Sequence, residues 1–147
     1  MATKFSEIYN RAMFRFTDYG FLNIYTDKRD EIMRNFLMSA IVDFKTACLM
    51  DITNYDTENE TFNVEVGIEE QEILALGVAY YWISQKALNT ELLHNTMTRK
   101  DYTTYSPANL LDRITSLRDS MKSEYRAKIN EYSYRNGSLD KIKAGNS

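Results

Sequence analysis

Two stretches of the sequence have spacings that are typical of metal sites. Glu91 and His94 stand three residues apart, which places both side chains on one helix face, as in di-iron bundles. Such a site needs a second pair of this kind and two further glutamates, but His94 is the only histidine in the chain. Asp56, Glu58 and Glu60 alternate like the start of a calcium-binding loop. The sixth position of that loop should then be glycine and the twelfth glutamate, whereas the sequence has threonine and glycine there. We therefore predict no metal site and interpret 56–60 as a solvated acidic turn.

The sequence offers little for covalent catalysis. Cys48 is the only cysteine, lies in the apolar stretch ACLMDI, and is separated from His94 by about 46 positions. A buried, inert thiol is the ordinary role of such a residue. No glycine-rich phosphate loop or nucleophile elbow occurs. We expect no catalytic residue and no cofactor, and the protein is predicted not to be an enzyme.

Hydrophobic periodicity predicts a mainly α fold, a small helical bundle with one long C-terminal helix and a β-hairpin insertion. Residues 4–17 form a short amphipathic helix, and a second helix runs from Asp27 to about Ala47. A third, from Glu69 to about Asn89, is apolar on every side and should be buried, with one more helical turn possible over 90–95. Its longest apolar run has 11 residues, well short of a membrane span.

The last predicted helix is long and has a signal at each end. Ser106 and Pro107 suit its first turn, and Asn136-Gly137 suits its end. An apolar stripe comprises Leu110, Ile114, Leu117, Met121, Tyr125, Ile129 and Tyr132. A basic face is predicted beside the stripe, formed by Arg113, Arg118, Lys122 and Arg126.

Residues 48–66 are predicted to form a β-hairpin. CLMDIT and TFNVEV favour strands, and 54–60 between them is rich in turn-forming residues. The hairpin has no basic residue and carries five carboxylates, Asp51, Asp56, Glu58, Glu60 and Glu65. We expect one domain over 1–137, and a flexible C-terminal arm over 138–147.

Charge is distributed unevenly along the chain, although its formal net charge is only −3. Residues 1–50 have a net charge of +1, residues 51–96 of −8 and residues 97–147 of +4. Blocks of opposite sign can meet within one fold, meet between subunits, or face different partners. Two solvated faces of a single monomer would also account for them.

The layout resembles the neck proteins of tailed bacteriophages, the head–tail connectors or adaptors that sit under the portal. An N-terminal helix pair leads to a hairpin insertion and then to a buried helix with the aromatic end ILALGVAYYWI. A long helix follows that opens with YSPAN and ends with YSYRNG. The resemblance covers roughly residues 5–137, and its sharpest parts are the two ends of the long helix.

The resemblance implies a structural virion subunit, made in the host cytoplasm, that forms a ring, usually of twelve copies, around the DNA exit channel. Its implied partners are further copies of itself, the portal, the next neck or tail protein, and DNA passing non-specifically, with no membrane. It also implies that a C-terminal arm docks on the portal, through Leu139, Lys141, Ile142 and Lys143 here. The acidic hairpin would contact a neighbouring subunit or neck partner, or would line the channel.

A second hypothesis comes from another class of protein. A small monomeric or dimeric regulator could bind a partner helix or DNA through the basic face of the long helix. The net charge of that helix is only +2, which is a weak electrostatic footprint for nucleic acid. A gel shift with duplex DNA would distinguish this regulator from the connector.

Overall fold

The computed structural model describes the backbone of residues 2–14, 26–96 and 107–138, and the side chains of 2–14, 30–88 and 112–136. Within these ranges the protein is mainly helical, with a small antiparallel hairpin and a long C-terminal helix, which confirms the predicted fold class. The elements in chain order are α1 (Phe5–Met13), α2 (Thr26–Phe44), β1 (Tyr55–Asp56), β2 (Thr61–Phe62), α3 (Ile68–Thr96), α4 (Pro107–Tyr132) and a terminal π-helix (Ser133–Ser138). No helix among the described residues is both long enough and apolar enough to cross a membrane.

Helix α3 is the centre of the bundle and packs against α1, α2 and α4. Every residue from 73 to 79 is buried, as the all-round apolar sequence predicts. Gly77 permits a close approach to its neighbours: a Cβ there would lie 2.8 Å from both Ala40 Cβ and the Tyr125 ring. The buried middle of α3 therefore fixes the spacing between α2 and α4.

Helix α1 buries Phe5, Ile8 and Ala12 along one face, in agreement with its predicted amphipathic pattern. The residues at the start of α1 and just before it form backbone hydrogen bonds with the hairpin. Phe62 N–H donates to Thr3 O at 2.7 Å, and Phe5 N–H donates to Glu60 O at 2.8 Å. Because a two-stranded hairpin is marginal alone, these bonds and the burial of Phe62 stabilise it against the bundle.

The predicted boundaries of the hairpin, 48–66, were wrong, because its two strands comprise only Tyr55–Asp56 and Thr61–Phe62. Residues 48–53 form turns and bends after α2, and their backbone groups pair locally: Ile52 N–H donates to Met50 O, and Asn54 N–H to Asp51 O. The Asp51 carboxylate also accepts from Thr53 N–H at 3.1 Å. The composition of CLMDIT favours a strand. An aspartate side chain that accepts a hydrogen bond from a neighbouring backbone N–H favours a turn instead.

Of the members of its apolar stripe whose side chains are described, helix α4 buries four, Ile114, Met121, Tyr125 and Tyr132; Leu110 lies outside the described side chains. Leu117 is 47% exposed, since helical geometry places it roughly 60° from the mean direction of those four. After α4 the chain continues as a π-helix over Ser133–Ser138, a segment that includes the predicted end signal Asn136-Gly137. The Asn136 amide donates back to Tyr132 O at 3.2 Å.

Candidate functional site

A pocket of about 340 Å³ lies where the end of α2 meets α3 and α4. We call it the tyrosine pocket, because three tyrosines from two helices surround one aspartate. Its lining includes Asp43 of α2, Tyr80 and Tyr81 of α3, and Lys122, Tyr125 and Arg126 of α4. The pocket therefore combines aromatic walls, one carboxylate and two cationic side chains.

Asp43 joins the three helices through its carboxylate. Its Oδ2 accepts hydrogen bonds from the Tyr81 and Tyr125 hydroxyls, the latter at 3.1 Å. The Tyr125 hydroxyl also lies 3.4 Å from Ala40 O, one turn earlier on α2. The rings of Tyr80 and Tyr125 pack at 5.9 Å, so the wall is held by stacking as well as by hydrogen bonds.

Both phenols that donate to Asp43 are held in the neutral form. Burial raises the pKa of Tyr125, and the negative charge of Asp43 raises it further. Burial also raises the pKa of Tyr81, with the hydrogen bond to Asp43 as the second cause. Neither phenol is therefore suited to act as a base near neutral pH, and their protons remain on the bonds to Asp43.

The predicted basic face of α4 is only partly one surface. Arg118, Lys122 and Arg126 are four residues apart, so they form one row in which each is offset by roughly 40° from the next. Arg113 is five residues before Arg118, which turns it roughly 140° away from that row. Arg118 also pairs with Asp119 at 3.2 Å. The tyrosine pocket therefore receives its positive charge from Lys122 and Arg126.

A second hollow, of about 330 Å³, lies between the start of α2 and the hairpin turn. We call it the acidic hollow, because four carboxylates surround a single guanidinium there. Arg34 is 3.7 Å from the Glu60 carboxylate, and the other acids are Asp30, Glu31 and Glu58. Glu60 adopts a left-handed backbone with φ of 52°, which closes the turn before β2.

The five predicted hairpin carboxylates have separate environments. Glu58 and Glu60 line the acidic hollow. Asp56 stabilises the turn, since its carboxylate accepts from Glu58 N–H at 2.9 Å and from the Asn59 side chain at 2.6 Å. Asp51 serves the turn after α2, and Glu65 is exposed beyond β2. The hairpin is thus acidic, but it does not present one continuous row of carboxylates.

A buried polar contact fastens the end of α4 to the start of α3. The Tyr132 hydroxyl donates to Glu70 at 2.8 Å and accepts from Leu49 N–H at 3.2 Å. Burial is the main cause that raises the pKa of Tyr132. Arg135, one turn later, forms an ion pair with Glu69. The chain is therefore anchored on α3 immediately before the predicted C-terminal arm.

Cys48 lies beside this anchor and is half-buried. Burial raises the pKa of its thiol to about 11, and its Sγ lies 3.2 Å from Met50 Sδ. A thiol with a raised pKa is a poor nucleophile near neutral pH. This environment agrees with the interpretation of Cys48 as an inert structural residue.

Several predicted residues lie outside the described part of the chain. The proposed docking arm, Leu139, Lys141, Ile142 and Lys143, lies beyond residue 138. Glu91 and His94 belong to α3, but their side chains are outside the described set. Among the described side chains, no group of three acidic, histidine or cysteine residues is arranged to hold a metal ion.

The sequence interpretation missed Asp43, Tyr80 and Tyr81 as members of a site. Tyr80 and Tyr81 appeared there only within the aromatic end of a buried helix, and Asp43 was not identified as a candidate. A partial signal was present, because Asp43 is a charged residue within the apolar run AIVDF. Its tyrosine partners are 38 and 82 residues away, so the packing of three helices was needed to find them.

No protein-family model matches this chain, and neither a curated protein nor a solved structure shows significant similarity to it.

Proposed function

We propose that this protein is a structural subunit of a bacteriophage neck, a head–tail connector that assembles as a ring on the portal around the DNA exit channel. In this role it joins the capsid to the tail and performs no catalysis. Its partners are copies of itself, the portal and the next neck or tail protein, and its location is the portal vertex of the virion. The resemblance in the helix order, in YSPAN and in YSYRNG supports this proposal.

The observation that carries the proposal is the placement of two unlike surfaces on α2. Arg34, in the acidic hollow, and Asp43, in the tyrosine pocket, are nine residues apart on this helix. Nine residues are two and a half turns, so the two side chains leave opposite sides of α2, roughly 14 Å apart along its axis. The acidic hollow and the tyrosine pocket with its two cations are therefore on different faces of the subunit.

Unlike surfaces on different faces suit a ring. A closed ring is built from heterologous contacts, in which one patch of each subunit meets a different patch of the next. One face has four carboxylates around one guanidinium, and the other has two cations around one carboxylate. These faces provide electrostatic complementarity between successive copies. A symmetric dimer would instead require a patch that is complementary to itself.

Co-sedimentation with purified portal rings of the same phage tests this function. We expect the protein to sediment with the portal in a fixed ratio at low salt, and to be partly released at high salt, because salt screens contacts between exposed charges. Bovine serum albumin under the same conditions serves as the control for trapping. A protein that stays in the supernatant over the whole range of salt and concentration would contradict the proposal.

A second candidate function is a DNA-binding or partner-binding regulator, and one observation favours it. Arg118, Lys122 and Arg126 form a row that could follow a phosphate backbone. Against this, Arg118 is paired with Asp119, and Asp43 lies among the other two cations. A salt-dependent gel shift with duplex DNA would support the regulator, whereas the absence of a shift at low salt would exclude it.

A further inference from the structure

We propose that the tyrosine pocket of one copy receives the hairpin turn of the next copy, with the Glu58 carboxylate seated between Lys122 and Arg126. This inference rests on the connector function proposed above and identifies the surfaces that join its subunits. The occupant is a second copy of this chain, and the site is incomplete until that copy supplies its carboxylate.

The tyrosine pocket is prepared to accept an anion. Within the described part of the chain, Lys122 and Arg126 form no ion pair, although both line the pocket. The Asp43 carboxylate in the same pocket already accepts hydrogen bonds from two tyrosine hydroxyls, which stabilise its charge without using either cation. The two cations are therefore available to a carboxylate that comes from outside the subunit.

The hairpin turn is prepared to supply that carboxylate. Glu58 is exposed at the tip between β1 and β2, and its side chain makes no hydrogen bond or ion pair with the other described residues. Its backbone N–H is held by Asp56, which also accepts from Asn59 N–H at 3.3 Å. The turn is thus fixed before binding, which lowers the entropy cost of docking.

Glu58 cannot serve the tyrosine pocket of its own subunit in this fold. It lines the acidic hollow together with Arg34, which leaves α2 on the side opposite to Asp43. The carboxylate and the pocket therefore face away from each other within one copy. The same opposition places them correctly for a head-to-tail contact between two copies.

Charge reversal at the two positions tests the contact. Arg126→Glu should weaken assembly on the portal by about tenfold or more, because two carboxylates would then face each other. Glu58→Lys should do the same, and the double variant Glu58→Lys/Arg126→Glu should recover assembly. Two matched controls should assemble like the wild type. Arg113→Glu is on the same helix but outside the row of Arg118, Lys122 and Arg126, and Glu65→Lys is on the same hairpin segment as Glu58. Circular dichroism melting curves establish that every variant is folded.

Disulfide trapping gives an independent measurement. In a Cys48→Ser background, chains with Glu58→Cys and chains with Arg126→Cys should form linked dimers when mixed with the portal under oxidation, while neither alone should. Suppose that the wild-type chain assembles on the portal, the two cysteine variants form no linked dimer, and Arg126→Glu assembles as well as Arg113→Glu. These results would overturn the proposed contact and leave the connector function intact. A wild-type chain that never assembles on the portal would overturn both.

Discussion

The Tyr132 hydroxyl lies 2.8 Å from Glu70 Oε1 and donates to it, which joins the last turn of α4 to the first turn of α3. Leu49 N–H donates to the same hydroxyl, so three segments far apart in sequence meet at one oxygen atom. Tyr132 is 1% exposed and Glu70 is 8% exposed. Because water cannot replace a lost bond at this depth, the contact should contribute to stability.

Tyr132→Phe removes that oxygen and leaves a buried carboxylate and a backbone N–H without this partner. We expect the free energy of unfolding to fall by about 1–3 kcal/mol, since unpaired buried polar groups are costly. Urea denaturation followed by circular dichroism measures the change. Tyr134→Phe, at a side chain that is 70% exposed, is the matched control and should change stability by less than about 0.5 kcal/mol. Equal stability of the two variants would refute the role given to Tyr132.

Gly77→Ala tests the close approach of the three helices. The added Cβ would lie 2.8 Å from both Ala40 Cβ and Tyr125 Cζ, so α2 or α4 must shift. We expect a loss of about 1–3 kcal/mol from overpacking, although alanine has the higher helix propensity. Ser123→Ala, at an exposed position of α4, is the control and should be nearly neutral. A stabilised Gly77→Ala variant would show that the contact relaxes easily.

Local patterns predicted most of the helical architecture. The apolar run around Gly77 identified the buried helix, and the spacing of Ile114, Met121, Tyr125 and Tyr132 identified the inner face of α4. These features depend on periodicity within one element, which the sequence contains directly. The strand predicted for CLMDIT was wrong because composition does not reveal the local hydrogen bonds that Asp51 makes.

The candidate site was less predictable than the fold. The tyrosine pocket exists only because three helices pack together, and no local pattern links Asp43 with Tyr125. The basic face was overextended to Arg113, since a count of basic residues along the sequence ignores the rotation of the helix. The roles of Asp56 in the turn and of Glu60 beside Arg34 could be found only in the three-dimensional structure.

The Cys48 thiol should react slowly in the folded protein. Burial raises its pKa to about 11, whereas an unfolded cysteine titrates at about 8.5. The folded state therefore prefers the protonated thiol, and this contribution to stability is complete below the unfolded pKa and is lost as the pH rises towards 11. The rate of alkylation by iodoacetamide should still be rising at about pH 10 in the folded chain, as expected for a buried thiol. The same chain unfolded in urea is the control. If the alkylation rate had the same midpoint pH in urea as in the folded protein, this would contradict the burial of Cys48.

The Asp56 carboxyl should titrate below its usual range. The side-chain hydrogen bond from Asn59 is the largest cause of its lowered pKa, followed by the Asn59 backbone. Its contribution to the turn is therefore present above the unfolded pKa and is lost as the pH falls through the folded value. In an NMR titration, Asn59→Ala should raise the Asp56 midpoint. Asn63→Ala, whose amide contacts Asn54 instead, should not change it, and an equal effect of the two variants would contradict the assignment.

Native mass spectrometry of the wild-type chain mixed with the portal of the same phage tests the central claim most directly, because it counts the copies in each complex. A structural connector predicts one dominant complex, in which the number of chains matches the rotational symmetry of the portal and which dissociates as salt increases. A spectrum that contains only free portal and monomeric chain, at every ratio and salt concentration, would contradict the account.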